Sequence, residues 1–216
     1  MERQEALSRL RALVGEDLRV LAERHGVTIC KPDGKTNKGW AGHAIERYLG
    51  LALNSSCAPN FGSWELKVVP LKRDRQGHLR VKETMAITMI DPVEVEQCSF
   101  EDSHLYGKLM KQVVVGRVWE GAGGLPSPVH AVVTFDLDDA SIRQRVRDDY
   151  ELVRRTIRHH GFAALSGRQG VLVQPRTKGR GHGSVSRAFY ARKEFVAHIL
   201  GLEPLDLEAL VTRRGG

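Results

Sequence analysis

Pro59-Asn60-Phe61-Gly62-Ser63-Trp64-Glu65-Leu66-Lys67 is the stretch on which the fold turns. From residue 63 to residue 71 the side chains alternate. Trp64, Leu66 and Val68 fall on one side and Glu65, Lys67 and Val69 on the other, the period of a β-strand with one face in a core. An acid and a lysine two positions apart on a strand emerge on one face, about 7 Å from each other. That pairing suits phosphodiester hydrolysis. The carboxylate holds a hard cation, the cation polarises the phosphate and acidifies a bound water, and the ammonium group orients that water or helps to deprotonate it. The same pairing is common as a solvated ion pair on strand surfaces, so taken alone the motif does not decide between the two. A third ligand is expected from the turn upstream and a fourth from a neighbouring helix, where Glu46 is the candidate.

Outward from this strand, the apolar spacing predicts a helix over residues 2–25 (Leu7, Leu10, Val14, Leu18, Leu21) and another over 40–53. A turn-rich segment, 31–39, separates them. Downstream, residues 73–78 read as a hairpin turn and 82–90 as a strand. Further strands are expected at 113–119, 129–137 and 171–174. A long helix is expected over 139–160 and a closing helix over 189–200, with a Gly-rich basic loop at 176–187 before it. The order predicts an α/β fold with a mixed central sheet flanked by helices.

The chain has 216 residues, 41% of them hydrophobic and 27% charged. It therefore fits a single domain over 1–216 or two tightly joined lobes. No apolar stretch approaches the ~20 residues of a membrane-spanning helix. The polar, acidic N-terminus does not read as a secretory signal, and no membrane partner is expected. Cys30, Cys57 and Cys98 are odd in number and widely spaced, which supports neither a zinc knuckle nor a disulfide framework. These features lead us to expect a cytoplasmic protein. A net charge of +7 favours a polyanionic partner, because each phosphate contact releases counterions.

Several motifs resemble the MutH family, kin to restriction enzymes that cleave GATC within the PD-(D/E)xK nuclease superfamily. Lys38-Gly39-Trp40 runs through Glu46 to Leu49-Gly50 and is followed by Glu65-Leu66-Lys67 with Pro70. Ser103-His104-Leu105-Tyr106-Gly107-Lys108-Leu109-Met110-Lys111 resembles the family's S-H-x-x-x-K-L-K helix. Gln174-Pro175-Arg176-Thr177-Lys178 is similar to its Q-x-R-x-K recognition segment, and Arg187 to Lys193 to its R-G-F-Y-x-K-K stretch. The matches keep the family's order across roughly residues 37–200.

The resemblance implies a restriction-endonuclease-like fold with a DNA-binding cleft between two subdomain arms. It also implies Mg²⁺ as cofactor and double-stranded DNA as partner. It places Glu46, Asn60, Glu65, Lys67 and Lys108 at the catalytic centre, with Glu46, Asn60 and Glu65 on the metal. Lys108 would stabilise negative charge on the scissile phosphate. Arg176 and Lys178 would face the bases and Tyr190 the active site or its phosphate, while Arg180 and Arg187 of the basic loop would join the DNA contacts. The sequence departs from the family at Asn60, where the family has aspartate, and in a shorter loop to Glu65. An amide oxygen lacks the full charge that makes hard-cation sites tight. On these departures we expect a restriction-type endonuclease cutting both strands at a short site. The alternatives are a mismatch-repair strand-nicking enzyme recruited by a partner protein and a non-cleaving DNA-binding module derived from a nuclease.

Overall fold

The expected strand is β1 (Glu65–Arg73), and its alternation separates two hydrophobic cores. Trp64 and Leu66 pack into one, Val69 and Leu71 into the other. A computed structural model describes residues 1–50, 62–119, 121, 125–179 and 186–214. The elements follow in the order α1 (Arg3–Arg11), α2 (Leu18–Arg24), α3 (Trp40–Tyr48), β1, β2 (Leu79–Val81), β3 (Met85–Met89), α4 (Pro92–Gln97), α5 (His104–Leu109), β4 (Lys111–Val118) and β5 (Val129–Asp136). Then come α6 (Ala140–His160), β6 (Val173–Thr177), β7 (Arg187–Ala191), α7 (Lys193–Ile199) and α8 (Leu207–Arg214).

Four strands form one sheet in the order β2-β1-β4-β5 and three form another in the order β3-β7-β6. β1 and β4 run parallel, in register from Glu65↔Gln112 to Leu71↔Val118, and the remaining pairings are antiparallel. This is the mixed α/β architecture of the restriction-endonuclease-like fold. Helices α1–α3 cover the face of the first sheet that carries Trp64, Leu66, Val113 and Val115. The opposite face, with Val69, Leu71 and Val114, packs with α5–α7 and the second sheet.

Among the described residues β2 pairs only with 71–73 of β1, so the N-terminal part of β1 has β4 on one side and no strand partner on the other. Pro70 is compatible with this edge. Its carbonyl accepts from Lys82 N at 3.0 Å on the β2 side. The donor a proline lacks points the same way, and no bond to β4 is lost.

Three expectations are corrected. The helix predicted over 2–25 breaks, because residues 14–16 are drawn to the start of β5. Gly15 N donates to Val129 O at 2.9 Å, Val129 N donates to Glu16 O at 3.0 Å, and Gly15 adopts φ +91°. Asp17 then starts α2 afresh by accepting from Arg19 N, and it also accepts from Ser127 N at 2.8 Å. Second, the helix predicted over 189–200 begins only at Lys193. Phe189 lies in the central strand of the second sheet, paired on both sides. Third, the strand predicted over 82–90 is preceded by a separate short strand, β2, that belongs to the other sheet. The helix expected over 139–160 is α6, capped by Asp139 and ended by Gly161 at φ +79°. No described helix is long and apolar enough to cross a membrane.

Replacing Asp17 by alanine removes a helix cap and a partner of Ser127 together. Urea unfolding should show a loss of about 1–2 kcal/mol. Glu16→Ala, one residue earlier on the exposed turn, should change stability by less than about 0.5 kcal/mol.

Candidate active site

Glu65 opens β1 and is 2% exposed. Its burial requires cations, and two reach the same oxygen. Lys67 Nζ lies 2.7 Å from Glu65 Oε1 and Lys108 Nζ 3.3 Å from it. Lys67 comes from the same face of the strand, as the two-residue spacing predicts. Lys108 comes from α5, which Ser103 caps by accepting from Tyr106 N. Burial pushes the Lys67 ammonium below its usual range, opposed by the Glu65 carboxylate and reinforced by Lys108 and Lys178.

Lys67 Nζ also donates to Ile87 O at 3.2 Å. This contact depends on an irregularity in β3, where the register with β7 shifts between Ala86 and Thr88 and leaves Ile87 outside the ladder. Strand bulges re-aim groups in this way. The site therefore ties the two sheets together. Nothing in the sequence pattern announced the bulge.

The open edge of β1 forms one wall of a cleft of about 660 Å³. Lys38 and Gly39 at the start of α3, Glu83 and Thr84 after β2, and Arg176, Lys178 and Tyr190 of the second sheet complete it. A smaller recess beside it holds Glu46, Lys67, Glu83 and Arg117. Cationic side chains outnumber acidic ones along these walls, which favours an anionic occupant. Sequence reasoning missed Glu83, Thr84 and Arg117, which lie on no recognisable motif.

Glu46 and Glu65 approach β1 from different sides. Helix α3 packs on the Leu66 face, and the Glu65 carboxylate lies with the lysines on the other. Lys67 is their common neighbour, bonded to Glu65 and lining the recess that contains Glu46. Arg176 Nη1 donates to Thr84 Oγ1 at 2.9 Å, and its guanidinium lies 5.7 Å from the centre of the Tyr190 ring. Arg187 is turned to Thr177 Oγ1 at 3.0 Å. Asn60 and Arg180 lie outside the described residues. His104 pairs with Glu94 at 3.8 Å, not with the carboxylate cluster. Trp40 and Trp64 are core residues.

A second buried carboxylate holds the segment that leads into β6. Asp149 of α6 accepts three backbone N–H bonds, from Val171, Leu172 and Val173, at 2.7–2.8 Å. Arg192 donates back to the carbonyls of Gly167, Arg168, Gln169 and Gly170 at 3.0–3.2 Å. Gly170 is obligatory, because at φ +79° an added Cβ would lie 1.8 Å from Val173 O. The strand bearing Arg176 and Lys178 thus leaves a fixed platform.

The oxygen donors suit a hard cation. Glu65 supplies one carboxylate, Glu46 a second from the recess on the other side of Lys67, and the buried amide oxygen of Gln112, the register partner of Glu65, has no hydrogen-bond partner among the described residues. Among the described residues no three acidic, histidine or cysteine side chains form a ready cage, so the remaining ligands would be water, substrate phosphate or residues outside the described set.

Comparison with known proteins accords with this geometry. The family described as DNA mismatch repair enzyme MutH matches residues 49–117. The chain is MutH-like. The DNA mismatch repair protein MutH of Histophilus somni (strain 2336) is 27% identical over 212 residues, covering 91% of this chain and 92% of that protein. The MutH of Pasteurella multocida is 28% identical over 213 residues, covering 91% and 94%. That of Vibrio cholerae serotype O1 (strain M66-2) is 26% identical over 215 residues with the same coverage. The likeness thus runs through nearly the whole length of both chains. MutH belongs to the PD-(D/E)xK nuclease superfamily.

Burial pushes the Asp149 carboxyl up to about 6 against the pull of its three N–H donors. Its folded value is raised, so folding favours the neutral acid relative to the unfolded chain. The associated stability is complete below about pH 4 and is lost as pH rises to 6. The urea midpoint of the wild type, measured relative to Asp149→Asn, should therefore fall between pH 4 and 6 and level off above.

Proposed function

We propose that this chain is a divalent-metal-dependent endodeoxyribonuclease that nicks one strand of duplex DNA, in the manner of a MutH-type mismatch-repair enzyme. The observation that carries this reading is the buried Glu65 carboxylate shared by Lys67 and Lys108 behind the wall of a basic cleft. The sequence departures at residue 60 favoured a restriction enzyme cutting both strands. The relatives, named as mismatch repair proteins and matched over 91% of the chain, favour the nicking alternative instead.

In this reading residues 1–216 form a single nuclease unit around the cleft. Glu65 and Glu46, which flank Lys67 from its two sides, would hold Mg²⁺, with Asn60 as a further ligand. When bound, the cation polarises the scissile phosphate and lowers the pKa of a water. Lys67, fixed by Glu65 and by the Ile87 carbonyl, orients the attacking water. Lys108 donates to the phosphate oxygens as negative charge builds on them. Arg176 and Lys178 face the bases from the end of β6, and Tyr190 stands between them and the phosphate. Arg180 and Arg187 add backbone contacts, and a partner protein recruits the enzyme to its site.

Supercoiled plasmid incubated with the protein and Mg²⁺ should accumulate open circles. Discrete linear products would establish the restriction reading. Glu65→Gln and Lys67→Ala should each slow nicking by roughly 10²-fold or more while leaving duplex binding within a few fold. Asn60→Asp should raise the rate. If neither the wild type nor Asn60→Asp cuts while both bind duplex, the chain is a DNA-binding module.

A further inference from the structure

Gln112 has no exposed surface. It is the first residue after Lys111 in β4 and the Cα partner of Glu65 in the parallel ladder. Val113 and Val115 fall in the core beneath α1–α3 and Val114 in the opposite core. Strand alternation therefore puts the Gln112 side chain on the same face as Glu65, Lys67 and Val114. Its amide is oriented by one bond: Nε2 donates to the carbonyl of Lys108 at 2.8 Å. With the nitrogen assigned to that carbonyl, the oxygen is the other end of the amide, and Oε1 is buried with no hydrogen-bond partner among the described residues.

A buried amide oxygen without a donor costs about 1–3 kcal/mol. Such a group in a folded protein calls for a water, an ion or a chemical role. Here the surroundings select among them. The neighbouring strand position carries a buried carboxylate, and the residue whose carbonyl orients the amide is the one whose ammonium touches that carboxylate. The side chains of Gln112 and Glu65 thus stand on one face at paired positions of adjacent strands.

We propose that Gln112 is a positioning residue of the metal centre, its Oε1 turned to the coordination shell of the divalent cation held by Glu65. The same side chain fixes the turn between α5 and β4 through the Lys108 carbonyl, so it couples the cation to the placement of Lys108. A neutral oxygen at this position adds a donor atom without adding a buried anion beside Glu65 that the two lysines would have to balance. This inference rests on the metal-dependent reading above and adds a residue to it.

The test is cation binding without DNA. Titration of the wild type with Ca²⁺ and with Mn²⁺ by calorimetry, alongside thermal melting with and without each ion, gives an affinity and a stabilisation. Gln112→Met, similar in length and lacking the oxygen, should weaken both ions about 10-fold and shrink the melting shift. Gln112→Glu should restore or exceed wild-type affinity. Lys108→Met should not weaken the ions, because it removes a cation beside Glu65. Wild-type affinity in Gln112→Met overturns the proposal. If that variant fails to fold, weakened ion binding in Gln112→Glu overturns it. A wild type that neither takes up heat nor shifts its melting with either ion overturns the metal-dependent reading itself.

Discussion

The arrangement around Glu65 depends on an electrostatic constraint: a carboxylate taken almost wholly out of water must be met by positive charge and hydrogen bonds, or it will not stay ionised. The chain meets this with Lys67 from two positions along the same strand and Lys108 from α5. Because Lys67 also donates to the carbonyl of Ile87, the requirement extends to the second sheet. Strand β1, helix α5 and the bulge of β3 are therefore held together at one buried anion. One carboxylate facing two ammonium groups also leaves a local excess of positive charge, which draws phosphate toward the open edge of β1.

The cleft follows from the same economy of strand pairing. β2 stops short, β1 keeps an unpaired edge, and the space beside it is bounded by the second sheet. An unpaired edge is a hazard for aggregation, and here charged side chains and Pro70 guard it. The Asp149 and Arg192 networks act further away. Between them they satisfy three N–H groups and four carbonyls of the segment before β6. The basic strand end consequently begins from a rigid base, which lowers the ordering cost of gripping a ligand.

Much of this was legible in the sequence because it rests on short-range periodicity. The alternation about Glu65 gave the faces of β1, and the apolar spacing of Ile142, Val146, Tyr150, Val153 and Ile157 gave α6 to within a residue. What failed was decided by distant partners. Nothing local in residues 2–25 shows that Gly15 will bond to Val129. Phe189 carries as much helical as strand character until β3 and β6 are seen on either side of it. Of the site, Glu65 and Lys67 follow from spacing. Glu46 was a candidate from its place on the neighbouring helix, while Lys108 and the basic residues at the end of β6 were named through family likeness. Gln112, Glu83, Arg117 and the Ile87 carbonyl become visible only when elements separated in the sequence are laid side by side.

The parallel register of β1 and β4 restricts how this lineage can change length. Side chains on a strand alternate, so loss or gain of one residue at Leu66 would send either the acid or the lysine into the layer under α1–α3 and drive an apolar group among the ammonium ions. Single-residue indels within β1 are therefore lethal to packing and chemistry at once, and only two-residue steps preserve the alternation. Variation in length should collect instead outside the strand, such as in the turn that follows Arg73.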